Sequence, residues 1–160
     1  MIFTIKKNKH RARLNFGLWW GKVLIERDVY FYHDCKYLIE GEDQFDTNKL
    51  FGQGFSPSHK NHSARVGWRY NNDTGKIILS AYCYVRGERI IIELGEVNLG
   101  EWVRLSIKNE FGKYIFDGPF ESRYIVHLHD KMLGYPLGVY FGGNKPAVHD
   151  MNIEINKIKN

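Results

Sequence analysis

Lys76-Ile77-Ile78-Leu79-Ser80-Ala81-Tyr82-Cys83-Tyr84-Val85-Arg86 is the stretch of this sequence that decides the fold class. From Ile77 to Val85 every second residue is apolar, and this period of two predicts a β-strand with one buried face. Tyr82 and Tyr84 have the opposite parity and are expected on the outer face. No segment longer than a turn or two has the 3.6-residue period of an amphipathic helix. The pattern therefore favours an all-β protein.

The segment before this strand, residues 64–70, has the same period, with Val66 and Trp68 on its apolar side. Residues 71–75 read Asn-Asn-Asp-Thr-Gly, a composition that tolerates positive φ and is typical of a turn. The two segments therefore predict an antiparallel hairpin whose apolar sides face the core together. On the outer face this register places Arg65 beside Tyr82, Gly67 beside Ser80 and Arg69 beside Ile78.

Alternation elsewhere predicts further strands around residues 22–25, 29–32, 89–94, 102–108, 113–116, 123–128, 137–141 and 151–155. In the segment 137–141, Leu137, Val139 and Phe141 have the inward parity and Tyr140 the outward one. Many short strands separated by turn residues are typical of two packed antiparallel sheets. We predict a single β-sandwich domain over residues 1–160, with residues 1–20 as a basic N-terminal arm or an edge strand.

Composition excludes several classes of protein. The 160 residues are 43% hydrophobic and 15% aromatic, which is incompatible with disorder over most of the chain. No apolar run approaches the roughly 20 residues that span a bilayer, so no membrane partner is expected. The first residues lack the apolar core of a secretory signal, and we expect a cytoplasmic or virion location. Cys35 and Cys83 are too few for a disulfide framework, and Cys83 has the buried parity of its strand.

The net charge of +5 is concentrated at the two ends of the chain. No nucleic-acid-binding motif accompanies it, so we expect solubilising termini and no nucleic acid partner. The basic residues involved are Lys6, Lys7, Lys9, Arg11, Arg13, Lys157 and Lys159.

Outward-facing aromatic and basic residues form the candidate ligand site. Aromatic rings pack on the apolar faces of sugars, and arginine and histidine donate hydrogen bonds to hydroxyls, carboxylates or sulfates. An exposed sheet face or a protein interface has a similar composition, so both interpretations stay open. The candidate ligand-binding residues are Arg65, Arg69, Tyr82, Tyr84, Arg86, Arg123, His127, Tyr140 and Asn144.

Histidines suggest metal ligands at three places, but each has an ordinary structural interpretation. His59 and His62 lie in a polar loop, and His127 and His129 share a strand face beside Asp130. No third ligand is adjacent in sequence, although His149-Asp150 is a distant candidate. We therefore expect no metal and no cofactor. Gly142-Gly143-Asn144 predicts a turn, which also suits the rim of a ligand site.

Three segments of the sequence resemble those of a known fold family. They are Ser63-Ala64-Arg65-Val66-Gly67-Trp68-Arg69-Tyr70, Gly100-Glu101-Trp102-Val103-Arg104-Leu105 and the closing Pro136-to-Gly143 segment. With the long strand of residues 75–85, they resemble the concanavalin A-like lectin/glucanase jelly roll over roughly the last 100 residues. The chain is also similar to small uncharacterised proteins of bacterial and bacteriophage genomes. The resemblance implies a jelly-roll β-sandwich, with glycan bound on one sheet face.

The catalytic motifs of enzymes in this superfamily can be compared with this sequence. The paired acids that its glucanases carry as E-x-D-x-x-E are absent here. Its jelly-roll polysaccharide lyases have a tyrosine in a Y-F-K-x-G context, and Tyr140-Phe141-Gly142-Gly143 is similar but lacks the lysine. If this chain is such an enzyme, the resemblance implies that Arg65 or Arg69 neutralises a uronate, His127 is the base and Tyr140 the acid.

Two functional predictions follow. The main one is a non-catalytic jelly-roll module that binds glycans or packs into an assembly, such as a homo-oligomer or a bacteriophage virion, with polysaccharide or other virion proteins as partners. The alternative is a lyase or hydrolase that acts on an acidic polysaccharide.

Overall fold

The computed structural model describes residues 1–12, 17–20, 23–55, 57–127 and 133–158. Within them, twelve strands form two six-stranded sheets, and every neighbouring pair is antiparallel. The strands are β1 (Ile2–Ile5), β2 (Trp19–Trp20), β3 (Val23–Phe31), β4 (Asn48–Phe55), β5 (His62–Asn71), β6 (Lys76–Val85), β7 (Glu88–Val97), β8 (Trp102–Glu110), β9 (Lys113–Gly118), β10 (Phe120–Val126), β11 (Leu133–Leu137) and β12 (Met151–Lys157). The predicted all-β antiparallel sandwich is confirmed.

The two sheets have different strand orders. The back sheet runs β1-β12-β3-β8-β9-β10, and the front sheet runs β2-β11-β4-β5-β6-β7. Two short 3-10 helices, His33–Cys35 and Gly41–Phe45, lie in the connection from β3 to β4, which crosses between the sheets. None of the described helices is long and apolar enough to cross a membrane.

The core lies between the sheets and is built from large aromatic side chains. Phe31 of the back sheet packs against Trp68 of the front sheet, with ring centroids 5.5 Å apart. Phe55 of the front sheet stacks on Tyr114 of the back sheet at 6.0 Å. All four are fully buried, and each removes enough apolar surface from water to contribute roughly 2–3 kcal/mol to folding.

The predicted hairpin is present in the predicted register. β5 pairs with β6 so that Arg65 lies opposite Tyr82 and Arg69 opposite Ile78, while Val66 and Trp68 are buried. The register follows from the period of two, because a slip of one residue would expose the whole apolar side.

Several strand boundaries differ from the prediction. The predicted segments 22–25 and 29–32 belong to one strand, β3, although Lys22 lies outside the described residues. Only Leu137 of the segment predicted at 137–141 belongs to a strand, as the last residue of β11, and Tyr140 makes isolated bridges to Arg11 and Lys49. Residues 2–5 and 19–20 form edge strands of the two sheets. β4 has no counterpart in the prediction, since its glycines interrupt the alternation.

Candidate functional site

The outer side of the front sheet carries a groove of about 530 Å³. Strands β4, β5 and β6 form its floor, and the segment that follows β11 forms one wall. The residues that line it are Arg11, Lys49, His59, Lys60, Ser63, Arg65, Tyr82, Tyr84, Pro136, Leu137, Gly138, Val139 and Tyr140. We call it the front groove.

Glycines in β4 make room for the larger side chains of the front groove. Gly52 lies opposite Arg65 in the register, and a Cβ at Gly52 would stand 2.2 Å from the carbonyl oxygen of Ala64 and 2.8 Å from Cγ of Arg65. A Cβ at Gly54 would stand 2.7 Å from the ring of Tyr135. Bare glycines therefore let the arginine lie across the floor.

Arg65 is the central cation of the front groove. Its Nη2 donates a 2.6 Å hydrogen bond to the carbonyl oxygen of Gly138. Its buried Nε has no hydrogen-bond partner among the described residues, and neither has the buried Oγ of Ser63 beside it in the lining. Burial lowers the pKa of the guanidinium to about 10, so Arg65 still carries its charge at neutral pH. A buried cation with an unused donor is suited to bind an anion.

Lys49 is the second cation at the centre of the front groove. Its Nζ lies 4.6 Å from the ring centroid of Tyr82 and 5.7 Å from that of Tyr140, which makes two cation–π contacts. Burial lowers the pKa of Lys49 to about 8, and the charge of Arg65 acts in the same direction. The front groove therefore holds an amine that exchanges protons near neutral pH.

Tyr140 is held in place by backbone and ring contacts. Its N–H donates to the carbonyl oxygen of Lys49 at 2.9 Å, and the N–H of Lys49 donates to its carbonyl oxygen at 2.7 Å. The ring of His10 stacks on Tyr140 at 5.4 Å, and Cζ of Arg11 lies 6.0 Å from the ring centroid. The phenol of Tyr140 is therefore presented from a fixed backbone position beside two cations.

Two further tyrosines and a histidine complete the front groove. The rings of Tyr82 and Tyr84 meet edge to face at 6.0 Å. Burial raises the pKa of Tyr82, and its hydrogen bond with Tyr84 adds to the effect. Burial lowers the pKa of His59, as do the charges of Arg65 and Lys60. Tyr82 thus stays a neutral phenol and His59 a neutral imidazole at pH 7.

The charges that line the front groove are of one sign. Among the described residues, its lining includes four lysine and arginine residues, Arg11, Lys49, Lys60 and Arg65, and no aspartate or glutamate. Such a field attracts anions and disfavours a cationic ligand. With three tyrosines beside the cations, the front groove is suited to bind a sugar chain that carries carboxylates or sulfates.

Solved structures of alginate lyases share this architecture. The alginate lyase from Alteromonas sp. 272 has a TM-score of 0.58 and 13% sequence identity, and the match covers 100% of this chain and 88% of that one. The fold is a concanavalin A-like jelly roll. The alginate lyase from Klebsiella pneumoniae matches with a TM-score of 0.63 and 12% identity over 88% of this chain, which spans 59% of that enzyme. Alginate lyase AlyC3 in complex with dimannuronate matches with a TM-score of 0.58 and 12% identity, covering 99% and 72% of the two chains. No family model and no curated protein matches the sequence.

The jelly roll brings four of the predicted ligand-binding residues together, Arg65, Tyr82, Tyr84 and Tyr140. Arg69 faces the same side of β5 but lies outside the front groove, 3.7 Å from a carboxylate oxygen of Glu93 and with Cζ 5.8 Å from the ring centroid of Phe45.

The remaining predicted residues lie elsewhere in the jelly roll. Arg86 is exposed in the turn between β6 and β7, and Asn144 is exposed in the loop before β12. Arg123 is on β10 of the back sheet, where it pairs with Glu121 at 2.9 Å. None of the three lines the front groove.

His127 is not where the sequence pattern placed it. The predicted outward orientation is wrong, because the side chain is only 1% exposed at the end of β10. Its Nε2 lies 2.7 Å from Oδ1 of Asn109, and its ring centroid lies 4.0 Å from that of Tyr114. Burial alternates from buried Ile125 to exposed Val126 to buried His127, so His127 has the inward parity and the prediction assigned this segment to the wrong face. The structure therefore does not bring His127 to the front groove. The resemblance would require it there to act as the base.

The histidine motifs hold no metal-type cluster within the described parts of the chain. No group of three histidine, cysteine, aspartate or glutamate side chains there could hold an ion. His149 Nε2 lies 2.8 Å from the carbonyl oxygen of Asp34, and His62 is buried. His129 and Asp130 lie outside the described residues.

Sequence reasoning missed Lys49, Arg11 and Ser63 as site residues. Lys49 is in β4, where alternation fails, and Arg11 was assigned to a solvated terminus. A usable signal was the spacing of Lys49 before Gly52 and Gly54, because glycines within a strand mark a place where another group approaches the backbone closely.

Proposed function

We propose that the front groove binds an acidic polysaccharide built from uronate sugars and cleaves it by β-elimination. The observation that carries this proposal is the buried, unpaired Nε of Arg65 within a lining of four cations and no carboxylate. A carboxylate of the ligand would supply the missing partner. The structural likeness to alginate lyases supports the same class of substrate and reaction.

The reaction needs three chemical roles. One group must neutralise the uronate carboxylate, so that C5 can lose its proton. The guanidinium of Arg65 suits that role, because it remains charged after burial. A base takes the C5 proton, the C4–O4 bond breaks, and an acid protonates O4. The phenol of Tyr140 suits the role of the acid, since its hydroxyl is a donor held beside Lys49.

A second candidate is a module that binds the glycan without cleaving it, including one built into a homo-oligomer or a virion. The Tyr82–Tyr84 pair favours it, because two edge-to-face rings on the floor offer a stacking surface. The raised pKa of Tyr82 also makes this phenol a poor base.

The test measures binding and cleavage separately. The purified chain is incubated with polymannuronate, polyguluronate, glucuronan and, as a neutral control, dextran. Cleavage by β-elimination creates a C4=C5 double bond conjugated to the carboxylate, which is followed by its near-ultraviolet absorbance. Product from one uronan, and none with the Tyr140→Phe variant, is the expected result. Binding without product would favour the second candidate, and no binding to any uronan would overturn both.

A further inference from the structure

Lys49 and Tyr140 are held side by side in the front groove by hydrogen bonds between their backbones. Their backbones exchange two hydrogen bonds, of 2.7 and 2.9 Å, so the two side chains start from backbone positions that are fixed relative to each other. The Nζ of Lys49 lies between two phenol rings, those of Tyr82 and Tyr140. A Cβ at Gly142 would stand 2.8 Å from this Nζ and 2.1 Å from the carbonyl oxygen of Thr47. The glycine therefore leaves the space that the amine occupies.

Three charged groups from different segments act on this amine. Arg65 on β5 and Arg89 on β7 both disfavour the ammonium form, whereas Asp46, in the loop before β4, favours it. Burial is the largest effect, and it also disfavours the charge. The rings of Tyr82 and Tyr140 interact with the ammonium through cation–π contacts. An appreciable fraction of the lysine is therefore neutral in mildly alkaline solution.

We propose that the neutral amine of Lys49 is the base that removes the C5 proton of the bound uronate. This inference rests on the proposed β-elimination. The C5–H electron pair forms the C4=C5 double bond, the C4–O4 bond breaks with its pair on O4, and the Tyr140 hydroxyl protonates O4. The ammonium of Lys49 then returns its proton to the Tyr140 phenolate, and both residues are restored without a further reactant.

Other side chains of the front groove fit this role less well. Tyr82 is a phenol whose pKa is raised, so it holds its proton. His59 has a pKa below its ordinary 6.5, which makes it a weaker base than an amine. His59 also lies near Gly54, five residues from Lys49 along β4, or roughly 16 Å in an extended strand. Lys49 is the lining base that contacts Tyr140 directly.

The first test is the pH dependence of kcat/KM on the uronan that the wild type cleaves. The wild-type value is expected to rise as the pH increases through about 8, because the neutral form of Lys49 is the active one. Lys49→Arg keeps the charge but cannot release a proton in this range. We expect it to lose at least about 100-fold in kcat, with a much smaller change in KM, and to lose the alkaline rise.

Lys113→Met is the matched control, because Lys113 Nζ lies 4.7 Å from the ring centroid of Tyr124 on the back sheet. It removes a lysine–tyrosine contact of the same kind outside the front groove, and we expect the wild-type pH profile. A Lys49→Arg variant that keeps kcat within about threefold would overturn the inference and leave β-elimination standing. A wild type that yields no unsaturated product from any uronan would overturn both.

A second readout does not depend on turnover. Competitive acetylation with acetic anhydride, resolved by peptide mass spectrometry, reports the reactivity of each lysine. Lys49 is expected to reach half of its maximal reactivity near pH 8, and a non-cleaved uronate oligomer is expected to protect Lys49 but not Lys113. Equal labelling of Lys49 with and without the oligomer would contradict its place at the reacting sugar.

Discussion

The front groove and the back sheet differ in how their cations are paired. On the back sheet, three cations have carboxylate partners within the protein: Arg104 with Asp28 at 2.9 Å, Arg123 with Glu121 at 2.9 Å, and Lys108 with Glu110. In the front groove, Arg65 and Lys49 contact tyrosine rings and a backbone carbonyl, and no carboxylate of the described residues lines the groove. The proposed uronate ligand would supply the carboxylate that these two cations lack.

The front groove and the depression on the back sheet cannot be distinguished by their volumes. The back sheet carries a depression of about 560 Å³, slightly larger than the front groove. Glu26, Glu101 and Asp117 line it together with Arg104 and the exposed ring of Trp102. Arg104 in this depression already donates to Asp28, and no described residue of its lining has a buried side-chain donor without a partner. The unpaired buried donor of Arg65, rather than the volume, makes the front groove the stronger candidate site.

The largest expected effect is on binding, through Arg65→Met. This change removes the central cation while keeping a side chain of similar length, and we expect the affinity for a uronan to fall by at least about 100-fold. Arg104→Met removes an arginine from the back sheet, and we expect it to leave the affinity unchanged. Titration calorimetry of both variants checks the comparison. Equal losses in the two variants would show that the net charge of the protein, and not the front groove, determines binding.

The next effect is on stability, through glycine substitutions on each sheet. We expect Gly52→Ala to lower the free energy of unfolding by about 1–3 kcal/mol, because the added Cβ would overlap the backbone oxygen of Ala64. Gly118→Ala on the back sheet brings its Cβ against side chains only, those of Phe120 and Leu105, which can move. Chemical denaturation of both variants should rank Gly52 above Gly118. The reverse order would mean that β4 shifts to accommodate the methyl group.

The fold was predictable because the sequences of its central strands place apolar residues at every second position. In β5 and β6 the period of two determined the class, the pairing and the register. It failed in β4, where Leu50 and Phe51 are both buried beside a register shift and glycines replace outward side chains. Local bulges of this kind carry no hydrophobic signal that a pattern of residues could show.

The site was predictable only where it lies on those same strands. Arg65, Tyr82 and Tyr84 follow from the parity of β5 and β6, and Tyr140 from the parity of its own segment. Lys49 reaches the groove from a strand without alternation, and parity gives no information about which strands become neighbours. His127 shows a different error, because its segment was assigned to the wrong face: His127 shares the buried side with Ile125, and Val126 between them is exposed.

A smaller effect is expected from His127→Leu, which tests whether this residue is structural. The substitution leaves the buried amide of Asn109 without its imidazole partner, and we expect a loss of about 1–3 kcal/mol in the free energy of unfolding. We expect the affinity for a uronan to stay at the wild-type value, because His127 is buried in the back sheet. Urea denaturation and calorimetry on the same preparation measure both quantities. A selective loss of turnover in a fully stable variant would return His127 to the reaction.

The smallest effect is expected from Asp28→Asn, which breaks the ion pair with Arg104. The hydrogen bond from Arg104 lowers the pKa of this carboxyl below its ordinary 3.8, so the pair stabilises the fold above that pH and the contribution is lost as the pH falls through the lowered value. Both side chains are largely solvated, so we expect a cost of less than about 1 kcal/mol at pH 7. Denaturation at pH 7 and pH 3, at low and high salt, should show this difference shrinking with acid and with salt. A loss above about 2 kcal/mol would mean that the back-sheet charges are as strongly desolvated as Arg65, and the contrast between the two faces would then rest on the missing carboxylate alone.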